Sequence, residues 1–157
     1  MMDLSAEELK RYSRQMKLKG FGAEGQTRLK NAHVLVIGAG GLGSPVLLYL
    51  ASTGVGHITV LDNDTVDISN LQRQVIHTTE DLDRPKVQSA KEKMLSINPL
   101  IDVRVVEKRA SQANLKAFVE ESDFVLECTD SFATKYLVND ICVECGKPFC
   151  IAGIEGF

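Results

Sequence analysis

Residues 34 to 51 read VLVIGAGGLGSPVLLYLA: an apolar run, four glycines within six residues, then a second apolar run. The whole stretch is nearly long enough to cross a bilayer, but its glycines and Pro45 divide it into two shorter elements joined by a turn. HVLVIG lacks the polar alternation of a half-exposed strand and reads as a buried parallel strand. The second run reads as a helix. Ser44 is expected to cap it, Pro45 to take the first helical position, where an N–H would have no partner, and Gly54 to end it.

The same punctuation recurs on both sides of this unit. Ser5-Ala6-Glu7-Glu8 has the spacing of a capping box and opens a leader helix carrying Leu9, Tyr12 and Met16. A second polar segment, read as helical, follows the GFG break at 20 to 22. The strand HITVLD ends at Asp62, and a polar stretch, DNDTVDISNLQRQ, leads to a helix that opens at Pro85 and stops at Asn98-Pro99. DVRVVEK, a helix from about Ser111, DFVLEC, a helix from about Ser131 to Cys145 ending at Gly146, and FCIAG complete the series. Strand and helix alternate throughout, which predicts an α/β fold: a Rossmann-like, doubly wound, mostly parallel sheet behind an N-terminal helical leader. The chain reads as one domain over residues 1–157, with the leader at 1–32 and the sheet at 33–157. It ends just after a strand and reads as cut short.

Composition excludes several classes. The 157 residues carry a net charge of -3, with 44% hydrophobic and 25% charged residues, the profile of an ordered globular domain. An isoelectric point of about 5.6 and the lack of a Lys/Arg block argue against nucleic acid as a partner. The acidic N-terminus has no apolar core of a signal peptide, so a cytoplasmic location is expected and a membrane partner is not. Cys128, Cys142, Cys145 and Cys150 are read as thiols, since a cytosolic domain of this size needs no disulfide framework.

Gly38-Ala39-Gly40-Gly41-Leu42-Gly43 fits G-x-G-x-x-G between a strand and a helix. There the glycines permit a tight turn, backbone approach to phosphate and close helix packing. The helix N-terminus adds N–H donors and positive potential. Asp62 ends the next strand, where a carboxylate can accept ribose hydroxyls. A nucleotide site follows, but the loop does not choose the nucleotide. A dinucleotide needs little beyond the helix end, whereas the triphosphate of ATP needs side-chain cations and a metal. Arg73 and Lys86 lie toward the ligand-binding edge of such a sheet and are candidates, although solvated surface charge is the plainer reading of each. Asp130 follows DFVLEC at the same edge, where it suits magnesium or, with Ser131, a helix cap.

RYSRQM at 11–16, GAGGLGS at 38–44, LDNDTVDISNLQRQ at 61–74, RPKV at 84–87 and CTD at 128–130 together resemble the ubiquitin-activating-enzyme-like adenylating proteins of the ThiF/MoeB type, from about Glu8 onward. The resemblance implies ATP-dependent adenylation of the C-terminal glycine of a small ubiquitin-like sulfur-carrier protein ending in Gly-Gly, with release of pyrophosphate, in thiamin or molybdopterin synthesis. It implies that Gly38, Gly40, Gly41 and Gly43 approach the phosphates and that Asp62 holds the ribose. Asn70, Arg73 and Lys86 then contact the phosphates, and Asp130, followed by Ser131 where the family usually has Asn, takes the magnesium ion. Arg14 matches the arginine that reaches the ATP of the other subunit, so a homodimer is implied. The catalytic set on this reading is Arg14, Arg73, Lys86 and Asp130. The family's crossover loop, sulfur-handling cysteine and paired Cys-x-x-Cys zinc ligands belong to a later half that this sequence does not include.

Cys142-Val143-Glu144-Cys145 does not align with those zinc cysteines; it falls inside a predicted helix and has no second pair, so it is read as packing. His33, His57 and His77 are assigned structural roles, with no acid or nucleophile placed beside them. Three other readings stay open at this level. One is a nicotinamide-dependent dehydrogenase domain, which leaves Arg14, Arg73 and Lys86 without a purpose. Another is a non-catalytic dimerisation or carrier-binding paralogue. The third is a relative that adenylates a tRNA-borne group.

Overall fold

The computed structural model describes residues 4–154; the outer ends of the assigned domain, and the EGF of the terminal IEGF, lie outside the described residues. Five strands form one sheet: β1 (His33–Ile37), β2 (His57–Leu61), β3 (Asp102–Val106), β4 (Phe124–Glu127) and β5 (Phe149–Ile151). Their order is β3-β2-β1-β4-β5, and every pairing is parallel. The order reverses beside β1, so the crevice outside its carboxyl end is the ligand-binding position of an open α/β sheet.

Alternation along β1 supplies both halves of the core. Val34 and Val36 face α3 (Gly43–Thr53) and α4 (Lys86–Ile97), joining Leu47, Ala51, Val87, Ala90 and Met94. Leu35 and Ile37 face α5 (Leu115–Glu121) and α6 (Phe132–Cys145), joining Leu115, Val119, Val138 and Ile141. This explains the unbroken apolar run of the sequence: a central strand buried on both faces has no polar side. Burying one such aliphatic side chain contributes about 1.5–3 kcal/mol.

The leader is tied to the opposite edge of the sheet. Its α1 (Ala6–Arg11) begins with the predicted capping box, in which the Glu8 N–H donates to Ser5 Oγ at 3.2 Å and the Ser5 N–H to Glu8 Oε2 at 2.6 Å. The predicted second helix is α2 (Gly22–Asn31). Tyr12 is buried against Gly54, which ends α3 at φ +84°; a Cβ on Gly54 would lie 2.4 Å from the Tyr12 ring. Asn98, which stops α4 as expected, donates to Tyr12 Oη at 2.8 Å and to the Ala51 carbonyl at 2.7 Å. Gln15 and Gln26 both donate to the Thr53 carbonyl.

Two helix starts differ from expectation. α3 begins at Gly43, with Leu42 already in helical conformation, so Ser44 is not a cap: its N–H donates to the Gly40 carbonyl and its hydroxyl is buried without a hydrogen-bond partner. The glycine turn itself runs into the helix and leaves no extended residue for a cap. The helix expected from Ser111 begins at Leu115, because the Ser111 N–H donates to Asn114 Oδ1 and closes a turn first. Ser131 does cap α6, accepting the Thr134 N–H, and Gly146 ends that helix.

Cys142, inside α6, is packed in the core, where burial pushes its thiol up to about 11; Cys145 is half-buried and Cys150 is exposed. All four cysteines are unpaired thiols. No helix among the described residues is long and apolar enough to cross a membrane.

Glu127 ends β4 with its side chain fully buried, and its partner is Lys135, one turn into α6, at 2.5 Å. The Lys135 ammonium also donates to the carbonyls of Thr129 and Ala152, at 2.6 Å each, so its three protons tie together β4, α6 and the segment after β5. Replacing Lys135 with Met strands a carboxylate in the interior. The expected loss is about 3–5 kcal/mol, measured as the shift in denaturant unfolding, and a loss below about 1 kcal/mol would show that the pair is not a principal brace.

Asp81 braces the connection between β2 and α4. Burial alone would raise its carboxyl, but hydrogen bonds from the Thr78 hydroxyl and N–H, together with Lys93, outweigh that and hold it at about 2 against an ordinary 3.8. The folded pKa is depressed, so the stabilisation is present above the unfolded value and is lost as pH falls through the folded one. Urea unfolding should therefore show Asp81→Asn losing its disadvantage relative to the native chain between about pH 4 and pH 2. A constant difference across that window would contradict the assignment.

Candidate functional site

A cleft of about 860 Å³ opens at the carboxyl edge of the sheet, at the switch point beside β1. Its floor is the glycine loop between β1 and α3. Gly43 does not reach the cleft: a Cβ there would lie 1.9 Å from the Gly38 carbonyl oxygen, so this glycine lets the helix close against the strand. Gly40 and Gly41 line the cleft, and a Cβ on Gly41 would stand 3.3 Å from the Arg73 side chain. The space above the loop is thus bounded by backbone and by one arginine.

Asp62 stands at the end of β2 and holds this loop. Its Oδ2 accepts the Ala39 N–H at 2.7 Å and its Oδ1 accepts the Asp64 N–H at 2.8 Å. Arg73 is exposed and oriented by Asn70, whose Oδ1 accepts from Nη2 at 2.8 Å. Lys86 differs from the solvated charge that composition favours. Its side chain is only 6% exposed, and its Nζ pairs with Asp64, itself 60% exposed, at 3.0 Å. A cation with a displaceable, solvent-facing counter-ion is available to an incoming anion.

Across the cleft stand Thr129, Asp130 and Ser131, between β4 and α6. Asp130 is exposed, while Ser131 both lines the cleft and caps α6. Among the described residues no three His, Cys, Asp or Glu side chains gather into a metal cage.

Of the residues named from sequence, Gly38, Gly40, Gly41, Asp62, Arg73, Lys86, Asp130 and Ser131 line one cleft. Asn70 acts on it through Arg73, and Gly43 lies beneath it. Arg14 is elsewhere. Its neighbours Tyr12 and Gln15 are fixed to Gly54 and Thr53, at the far end of α3 from the loop. A helix of 11 residues spans about 16 Å, so Arg14 is remote from the cleft of its own chain.

The structure adds residues that sequence reasoning passed over. Asp64 partners Lys86, Lys135 lines the cleft with all its protons engaged, and Lys108 and Arg109 line it after β3. Gln74 is buried beside Gly40 and lines the cleft with its Oε1 unpaired. His77, placed by sequence in a polar connection, is buried against the loop, bonded to the Ala39 carbonyl and to Ser89. Only Glu127 gave a signal: a carboxylate closing an apolar strand requires a buried cation nearby.

A glycine cradle at a helix N-terminus, an acid at the second strand, two cations and an opposed exposed carboxylate together fit a nucleoside triphosphate with a divalent ion. Comparison with known proteins agrees with this arrangement. The Mycobacterium tuberculosis protein named probable adenylyltransferase/sulfurtransferase MoeZ is 54% identical over 154 residues, covering 98% of this chain and 39% of that protein. The Thermus thermophilus sulfur carrier protein adenylyltransferase is 46% identical over 156 residues, covering 99% of this chain and 58% of that protein. The crystal structure of E. coli tRNA N6-threonylcarbamoyladenosine dehydratase TcdA in complex with ATP superposes with a TM-score of 0.92 at 27% identity. That match covers 99% of this chain and 63% of the other. The present chain therefore spans about two fifths to three fifths of the length of these relatives. The family model described as ThiF family matches residues 12–157, and the chain belongs to that family.

Proposed function

We propose that this chain supplies the ATP-binding part of an adenylyltransferase that activates the C-terminal glycine of a small ubiquitin-like sulfur-carrier protein. In this reaction a carboxylate oxygen of the carrier attacks the α-phosphorus of ATP. A new O–P bond forms, the bond to the β-phosphate bridging oxygen breaks, and pyrophosphate leaves with the electron pair. The observation that carries the reading is the convergence of Arg73 and Lys86 on the glycine cradle, opposite Asp130. A nicotinamide dinucleotide would leave that cation pair without a purpose.

Each group has a physical task. Substitution at phosphorus is catalysed mainly by positioning and charge neutralisation, so no side-chain nucleophile is needed. The loop N–H groups and the α3 N-terminus receive the phosphates, Asp62 accepts from the ribose while bracing the loop, and Asn70 aims Arg73. Lys86 exchanges Asp64 for a phosphate oxygen. Asp130 would hold magnesium, which, when bound, neutralises charge on the phosphates. Arg14, remote from its own cleft, acts on the ATP of a second copy, so the homodimer completes the site. The Thermus thermophilus relative named sulfur carrier protein adenylyltransferase supports the choice of co-substrate, and either thiamin or molybdopterin synthesis is compatible with it. The cytoplasm is the fitting compartment for ATP chemistry in a protein with unpaired thiols.

ATP–pyrophosphate exchange with a carrier ending in Gly-Gly tests the reading. Arg73→Ala and Lys86→Ala, each checked for folding, should lower exchange more than about tenfold, or ~1.4 kcal/mol of transition-state stabilisation. Near-native exchange in both, or tight binding of NAD with no binding of ATP, would remove the assignment. An Arg14→Ala protein mixed with an Asp130→Ala protein should regain part of the activity that each lacks alone. Absence of any recovery would place Arg14 within its own subunit or outside the reaction.

A further inference from the structure

His77 is one of the few buried ionisable groups that the reaction above does not use. It is 4% exposed, and its ring lies between two oxygens: Nε2 is 2.9 Å from the Ala39 carbonyl and Nδ1 is 2.8 Å from Ser89 Oγ. A carbonyl can only accept, so Nε2 carries the proton and donates it to Ala39. Burial favours the neutral ring, outweighing the Ala39 carbonyl, which favours the charged one. Among its other neighbours Lys86 also disfavours charge, and Asp81 and Asp62 favour it. In the neutral ring Nδ1 accepts from the Ser89 hydroxyl, itself fully buried on α4, which fixes the tautomer.

The consequence lies on the other side of the peptide. The Ala39–Gly40 bond is trans and planar, so its carbonyl and its N–H point in opposite directions. With the carbonyl held by the buried His77, the Gly40 N–H points the opposite way, and Gly40 itself lines the cleft. That N–H has no backbone or side-chain acceptor among the described residues. The preceding N–H, of Ala39, is held by Asp62 at 2.7 Å. The two braces grip successive peptides, and the Gly40 N–H is the donor that follows them.

We infer that His77 is a positioning residue of the phosphate site. By fixing the Ala39 carbonyl it presents the Gly40 N–H to a phosphate oxygen of the nucleotide. The inference rests on the proposed ATP-binding reading, and it also predicts that this N–H receives pyrophosphate alone. Ser89 on α4 orients His77 in turn, so the loop is held by the helix that carries Lys86.

Titration of ATP-magnesium into the native chain, His77→Leu and His77→Gln tests this. His77→Leu should weaken ATP binding about tenfold or more, the scale of one buried hydrogen bond left unmade. The glutamine amide can donate to the same carbonyl, so His77→Gln should recover most of the affinity. A purely structural role predicts instead that affinity follows melting temperature in both variants, whichever group replaces the ring. Native-like affinity in a folded His77→Leu protein would overturn the inference. Should that variant not fold, the native chain decides: the Gly40 amide resonance is expected to move strongly on addition of pyrophosphate, and a stationary Gly40 resonance would overturn it. Failure of the native chain to bind ATP while Gly40 still responds to pyrophosphate would count against the adenylation reading alone.

Discussion

The site depends on the Asp62 carboxylate accepting the Ala39 N–H at the end of β2. β1 and β2 are paired in register from His33 with His57 to Ile37 with Leu61, so the turn leaving β1 and the acid ending β2 emerge side by side. A loop of glycines has many conformations open to it and loses more entropy on ordering than any other sequence. Asp62 selects one of them, and its second oxygen does the same for the Asp64 backbone. Fold and ligand site are therefore joined at a single side chain, with the sheet register as its foundation.

From that joint the remaining parts follow in layers. The connection from β2 to α4 passes over the loop and is fixed by Asp81 from one side and by the Lys86–Asp64 pair from the other. It delivers Arg73 above Gly41 and His77 below Ala39. On the far side, the Glu127–Lys135 pair holds the turn that carries Asp130. Each wall of the cleft is thus stiffened by a buried or half-buried charge pair. Breaking such a pair costs more than forming it gains, so these pairs set geometry more than they add stability.

Much of this was legible in the residues, and the divide between what was and what was not is physical. Local rules located the strands as apolar runs, the Ser5 and Ser131 caps, and the helix ends at Gly54, Asn98 and Gly146. All of these act within a few residues of the chain. The cleft-lining set was legible because glycine spacing, an acid at a strand end and a family resemblance pointed to the same sheet edge. Ser44 misled because a serine caps a helix only when its own backbone is extended, and Ser111 because its N–H closes a turn on Asn114 before the helix starts. His77 and Asp64 were not legible, since their partners lie 38 and 22 residues away and nothing local marks them. The buried state of Lys86 was hidden for the same reason.

The Lys86–Asp64 pair has a further meaning for selectivity. The cleft holds its own stand-in for the ligand: a carboxylate, largely in water, occupying the ammonium that a phosphate would take. Any nucleotide entering must outcompete that tethered anion, whose local concentration is high and constant. A singly charged or weakly anionic molecule gains little from the exchange, whereas a polyphosphate brings enough charge to displace Asp64 and leave it hydrated. On the proposed ATP reading, the pair would act as a threshold on ligand charge, favouring a polyphosphate over a singly charged molecule.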